Sequence, residues 1–129
     1  MVVIDASAVM EFLLDARRYP RIAAVLMGNE LHAPHLIDYE IAHGVRSAVL
    51  GKRMDAPRAI AALEDFAAVV IHRHAVDHLL LRMFELRHNH TAYDASYVAL
   101  AESLDLPLIT RDRRLAQSSG HAARIEYIA

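Results

Sequence analysis

Four carboxylates occupy the positions where an α/β chain gathers its chemistry. Asp5 closes the apolar run Val2-Val3-Ile4, and Glu40 falls in the first two turns of a helix predicted from Ile37 to Leu50. Asp94 sits in the first turn of a helix opened by Thr91, and Asp112 follows a strand around Leu108-Ile109. In a parallel sheet the C-terminal ends of strands and the N-termini of the following helices share one edge, and ligands collect there at a topological switch point. Each acid also has a purely structural reading. Asp5 and Asp112 can cap helices, Asp94 can complete a capping box with Thr91, and Glu40 can be a solvated helical residue. Together they make a different demand. Carboxylates about 4 Å apart at an effective dielectric of about 20 repel by about 4 kcal/mol per pair. A converged set must therefore take up protons or bind a cation, and all-oxygen ligation selects hard ions such as Mg²⁺ or Mn²⁺. The chemistry that such a centre supports is metal-assisted phosphodiester hydrolysis, with one ion activating water and a second stabilising the leaving oxygen.

The elements that must position these acids alternate between short apolar strands and longer segments of helical period. Strands are predicted at Val2-Val3-Ile4, Leu31-His32-Ala33, Val69-Val70-Ile71, Pro107-Leu108-Ile109 and Ile125 to Ile128. Helices are predicted from Ala8 to Leu14, Arg18 to Met27, Ile37 to Leu50, Pro57 to about Asp65 and Val76 to about His88. Two more follow, one opened by Thr91 and carrying Tyr93, Tyr97, Leu100 and Leu104 on its apolar face, and one from Asp112 to Gln117. This alternation predicts βαβ units and an α/β fold, a three-layer α/β/α sandwich around a mostly parallel central sheet. No repeat or linker interrupts it, so the 129 residues read as a single domain, 1–129.

Composition narrows the function further. With 14 Lys+Arg against 16 Asp+Glu the formal net charge is −2, which excludes a strongly basic nucleic-acid coat protein. There is no cysteine, so a disulfide scaffold, a thiolate nucleophile and a thiolate metal site are all excluded. No run approaches the roughly 18 apolar residues of a membrane span, and Asp5 interrupts any leader-like start. A cytoplasmic protein is expected. Phosphate-loop, dinucleotide-binding and serine-elbow signatures are missing.

Several segments together resemble the PIN-domain ribonucleases, and more narrowly the VapC toxins of toxin–antitoxin systems. They are Val3-Ile4-Asp5-Ala6-Ser7, the helical Glu40, Thr91-Ala92-Tyr93-Asp94-Ala95-Ser96-Tyr97 and Leu108-Ile109-Thr110-Arg111-Asp112-Arg113-Arg114-Leu115. The resemblance implies that Asp5, Glu40, Asp94 and Asp112 form a catalytic, metal-binding quartet for Mg²⁺ or Mn²⁺. It also implies that Ser7 and Thr110 orient ligands or water beside them. It implies an endoribonuclease acting on transfer or ribosomal RNA, a homodimer, and a cognate VapB-like antitoxin that covers the site. Where such proteins often carry an Asn three residues after the helical acid, this chain has His43. Arg111, Arg113 and Arg114 flank Asp112 and are candidates for phosphate contacts at the rim of the acidic pocket.

Two other readings compete. A non-enzymatic, complex-forming protein of the same fold would retain the partner but not the cleavage. The pairs Glu40-x-x-His43 and Glu85-x-x-His88 match the spacing of a di-iron carboxylate bundle, which needs four long helices. The nine histidines are scattered through the chain and form no evident cage.

Overall fold

A computed structural model describes residues 1–129. Five strands, β1 (Val2–Ile4), β2 (Leu31–Pro34), β3 (Ile71–His74), β4 (Leu108–Thr110) and β5 (Ile125–Tyr127), form one sheet. Its order is β3-β2-β1-β4-β5 and every pairing is parallel. The chain builds outward from β1 through β2 to β3, then returns to place β4 on the other flank of β1. The strand order therefore reverses between β1 and β4, where Val3 faces Leu108 and Ile4 faces Ile109. These four residues are buried, as a sheet covered on both faces requires.

Seven α-helices cover the sheet. Helix α1 (Ala6–Asp15) packs against α2 (Pro20–Gly28), α3 (Leu36–Leu50) and α4 (Ala56–Ala68). In a second group, α6 (Ala92–Leu104) packs against α5 (Leu80–Glu85) and lies on β1, β2 and β4. The short α7 (Arg113–Ala116) sits against β4 and β5. The three-layer expectation holds, and the sheet excludes the four-helix bundle that a di-iron centre needs. Glu85 of that alternative instead pairs with Arg82 on its own helix. No helix is long and apolar enough to cross a membrane.

Several boundaries shift by a residue or two from the sequence reading, and three elements are the most instructive. Helix α2 starts at Pro20 rather than Arg18. The Asp15 carboxylate accepts the amides of Arg17 and Arg18, closing a turn after α1, and proline then supplies a ready first helical residue. The third strand is Ile71–His74 rather than Val69-Val70-Ile71. The Val69 amide still bonds Phe66 at the end of α4, and Val70 is 76% exposed. The helix expected from Val76 to His88 is a 3₁₀ turn (Asp77–Leu79) followed by the brief α5; Leu79, Met83 and Leu86 face the core while Leu80 does not. Helix α6 is apolar nearly all round. Ala95 to Ala101 are buried without a break, while Tyr93, expected on the apolar face, is 65% exposed.

Pairing of β2 with β3 brings together histidines that are remote in sequence. His32 Nδ1 lies 2.8 Å from His74 Nε2, and His32 Nε2 lies 2.9 Å from Glu30 Oε1. The His72 ring stacks on His32 with centroids 5.0 Å apart. Burial is the first cause holding the His74 pKa below its ordinary value, and His32, His72, His35 and His78 push the same way.

Substitutions in and just before β3, and changes of pH, test this arrangement. Ile71→Ala costs about 2–5 kcal/mol in urea unfolding, as for a buried Ile. Val70→Ala stays within about 0.5 kcal/mol, because its side chain leaves the core alone. The depressed His74 pKa means that, just below the ordinary histidine value near 6.5, the unfolded chain binds more protons than the folded one. Stability from this group is complete above that value and is lost as pH falls below it. Relative to His74→Gln, the wild type should therefore lose stability between pH 8 and pH 5. Parallel pH-stability curves would contradict this.

Candidate metal and active site

The site grows out of the β1–β4 junction. The Asp5 amide donates to Ile109 O at 3.2 Å, so the chain leaves the sheet with Asp5 alongside Thr110. Asp5 is 6% exposed and caps α1, its Oδ1 accepting the Ala8 amide at 3.2 Å. Ser7 Oγ donates to the same oxygen at 2.6 Å, and Thr110 Oγ1 donates to Oδ2. Each hydroxyl is in turn fixed by a backbone amide: Arg111 N donates to Ser7 Oγ and Asp112 N to Thr110 Oγ1, both at 2.9 Å. The direction of donation runs from the amides after β4, through two hydroxyls, to one carboxylate. A carboxylate offers about four lone-pair positions, so Asp5 has one left to spend.

The other three acids keep more of their capacity. Asp112 caps α7, its Oδ1 accepting from Arg114 N and Leu115 N, which leaves Oδ2 open. Glu40, on α3, accepts the Tyr97 hydroxyl on Oε1 at 2.6 Å and keeps Oε2 open. Asp94 realises half of the expected capping box. Thr91 Oγ1 accepts the Asp94 amide at 3.1 Å, but the Asp94 carboxylate makes no hydrogen bond of its own. The capping readings and the ligand readings are thus compatible, since caps occupy one oxygen and leave the other.

Electrostatics ties the four into one neighbourhood. Burial is the first cause raising the Asp5 pKa, opposed by the bonds from Ser7, Thr110 and Ala8 and reinforced by Asp112. Burial likewise raises Glu40, opposed by Tyr97 and reinforced by Asp5 and Asp94. Asp94 is raised by burial and then by Asp112, with Arg114 and His90 opposing. The side chains do not form a closed cage, for no three His, Asp or Glu groups converge on a common point at ligating distance. A hard divalent ion does not require one. Mg²⁺ is commonly held by one or two carboxylates, with waters and substrate phosphates completing its shell. The all-oxygen donor set, the open lone pairs and the raised pKa values suit such an ion.

The surroundings have two characters. On one side of Asp94 lies a cavity of about 650 Å³ lined by Met10, Leu36, Tyr39, His43 and Tyr93 together with Glu40. On the other lies a smaller polar one, described below. His43, at the position where an Asn is usual, lines the first cavity. Tyr97 was legible only as a core residue, yet its buried hydroxyl holds Glu40; a Tyr rather than a Phe on a buried stripe was the available signal.

The three arginines separate. Arg111, expected to contact phosphate, is committed elsewhere. Its Nη1 donates to the Tyr127 hydroxyl at 3.0 Å and to Ile128 O at 2.9 Å, and its guanidinium lies 4.8 Å from the Tyr19 ring centroid. It fastens the C-terminal strand and leaves the set of phosphate contacts. Arg113 lies over the Tyr127 ring at 4.4 Å. Arg114 is exposed, its guanidinium makes no hydrogen bond or ion pair, and it lines the cavities on both sides of Asp94.

The unpaired, partly buried Asp94 carboxylate is a net cost to the metal-free fold. Asp94→Asn should therefore raise the melting temperature in EDTA, while Asp5→Asn gives no such gain because its amide nitrogen cannot accept the Thr110 hydroxyl. Wild type should also gain stability from Mn²⁺, by about 2.7 kcal/mol at 100 times the dissociation constant, and Asp94→Asn should lose most of that gain. Equal Mn²⁺ stabilisation of both proteins would remove Asp94 from the site.

Comparison with known proteins finds relatives along the whole chain. The PIN domain matches residues 2–120. Ribonuclease VapC12 of Mycobacterium tuberculosis is 39% identical over 129 residues, covering 100% of both chains. VapC ribonuclease Mb0985 of Mycobacterium bovis is 41% identical over 118 residues, covering 92% of this chain and 91% of its own. The crystal structure of VapBC2 from Rickettsia felis, bound to a DNA fragment from its promoter, superposes with a TM-score of 0.72 over 100% of both chains at 11% identity, a likeness of fold. With a matching domain over most of its length and relatives near 40% identity end to end, the chain belongs to the PIN-domain family, among its VapC ribonucleases.

Proposed function

We propose that this protein is the toxin of a VapBC-type pair, a single-domain endoribonuclease that hydrolyses RNA phosphodiester bonds with Mg²⁺ or Mn²⁺. What supports the reading is that Asp5, Glu40, Asp94 and Asp112 lie near enough together that burial and acidic neighbours raise the pKa values of Asp5, Glu40 and Asp94, in a chain of this family. Asp5, Asp94 and Asp112 hold the ion through their open oxygens, and Glu40 is a further ligand or the group that positions water. A bound divalent ion supplies positive charge to the phosphate and makes water more acidic.

The chain's own residues do the rest. Ser7 and Thr110 hold the Asp5 carboxylate in one orientation, and both bonds favour its charged form against the burial that raises its pKa. Tyr97 fixes one oxygen of Glu40, so that the other can accept a proton from water at a defined place. Arg114 offers a full set of guanidinium donors beside Asp94 and offsets the repulsion between the acidic pocket and a polyanion. Arg113 is a weaker candidate for the same task because its guanidinium lies over Tyr127.

The partners follow from the same reading. A VapB-like antitoxin, acting in the cytoplasm on a VapC homodimer, would fill the larger cavity, whose Leu36, Tyr39 and Tyr93 suit an apolar side chain better than a phosphate. Transfer or ribosomal RNA is the substrate class.

Purified protein incubated with total cellular RNA and Mn²⁺ should yield a few discrete cuts that EDTA abolishes. Asp5→Asn and Asp94→Asn should each reduce cleavage at least 100-fold while remaining folded. Wild-type rates in both variants would overturn the quartet.

A further inference from the structure

The polar side of Asp94 has a composition that the carboxylate chemistry does not explain. A cavity of about 340 Å³ meets Asp94 and is lined by Arg87, His88, Asn89, Arg114 and Ser118, with Leu115 its single apolar residue. A second cavity of about 460 Å³, with no apolar lining, continues from it and shares Asn89, Arg114 and Ser118. Together they make a trough that leads away from Asp94 between the segment before α6 and the end of α7. Asp94, at its inner end, is the only acid along it.

Its arginine and asparagine side chains are arranged but not consumed, whereas the Ser118 hydroxyl already donates to Leu115 O at 2.7 Å. The Arg87 guanidinium lies 4.2 Å from the Phe84 ring centroid and gives one bond to Phe84 O at 3.1 Å, which leaves most of its five donors free. Arg114 spends none. The Asn89 amide makes no hydrogen bond but is held by close packing. Gly120, at φ +82°, leaves the space that Asn89 Nδ2 fills, and a Cβ there would sit 2.3 Å from that nitrogen. Beneath the trough His90 is buried, its Nε2 2.9 Å from Ser118 Oγ and its Nδ1 without a partner.

Free guanidinium donors and neutral hydrogen-bonding groups beside a hydrolytic centre suit a sugar–phosphate backbone. Arg neutralises phosphates, while amide and hydroxyl groups bond ribose. No Phe, Tyr or Trp lines the trough, in contrast with the tyrosines across Asp94; His88 is its one exposed ring. We propose that this trough carries the RNA strand on one side of the scissile phosphate, with Arg87 and Arg114 on successive phosphates and Asn89 on a ribose hydroxyl. It grips backbone without reading sequence, so selectivity lies on the opposite side of Asp94. The inference rests on the ribonuclease reading and adds Arg87 and Asn89 to the binding residues.

The test is fluorescence anisotropy of the full-length protein with a labelled 12-nucleotide single-stranded RNA of mixed sequence, in EDTA, at several salt concentrations. Arg87→Ala should weaken binding at least fivefold and lower the slope of log affinity against log salt by about 0.7, the value for one lost phosphate contact on a single strand. Arg87→Lys should restore most of that slope, and Asn89→Ala should weaken binding without changing it. Arg124→Ala, a remote control, should change neither. Affinity and slope within twofold of wild type for both Arg87→Ala and Asn89→Ala, in proteins with unchanged melting curves and Mn²⁺ binding, would overturn the trough. Cleavage assayed in parallel separates the two claims: no metal-dependent cleavage by the wild type would overturn the ribonuclease reading, whatever Arg87 does.

Discussion

The bond network around Asp5 is the constraint on which the rest of the site depends. Two strands that are more than a hundred residues apart in sequence end side by side, and their first residues beyond the sheet are joined through hydroxyls to one carboxylate. Every donor in that network points toward Asp5. The arrangement therefore favours the charged acid and sets the distance between the α1 and α7 caps, and hence between Asp5 and Asp112. The parallel register of β1 with β4 is the prerequisite, because a shift of one residue would turn Thr110 to the other face of the sheet.

Against that local satisfaction stands a neighbourhood of like charge. Burial and mutual repulsion raise the pKa values of Asp5, Glu40 and Asp94 together, and each is restrained by a different group: hydroxyls for Asp5, Tyr97 for Glu40, and Arg114 with His90 for Asp94. Asp94 is the least compensated, since its carboxylate has no hydrogen bond. It also stands where the apolar cavity and the polar trough meet, so the acid with the most open coordination capacity is the one that both approaches reach. A divalent ion held by these acids would relieve the repulsion and supply positive charge for a phosphate.

Much of this was legible in the sequence because strand ends and helix starts are marked by local chemistry. Val2-Val3-Ile4 followed by Asp5, and Thr91 three residues before Asp94, each announce a boundary and a carboxylate at once. The third strand was misplaced because β3 is made of His72, Arg73 and His74 after Ile71, whereas the apolar Val69 and Val70 belong to the turn before it. Contacts between remote residues were invisible for a different reason. No local pattern tells that Tyr97 bonds Glu40, that Arg111 turns to Tyr127 and Ile128, or that strand pairing assembles His32, His72 and His74. The basic trio around Asp112 read as one patch, yet backbone direction at the start of α7 sends Arg111 inward and leaves Arg114 at the site.

The central claim is that these four acids form one cation site. Diffraction from crystals soaked in Mn²⁺, recorded at a wavelength where manganese scatters anomalously, tests it most directly. A strong anomalous peak is expected within about 2.5 Å of an Asp5 or Asp94 carboxylate oxygen, with Glu40 and Asp112 bonded to it directly or through water, and the peak is lost in Asp94→Asn. A peak only at the His32–His72–His74 cluster, or none beside Asp5 and Asp94 at saturating Mn²⁺, would contradict it.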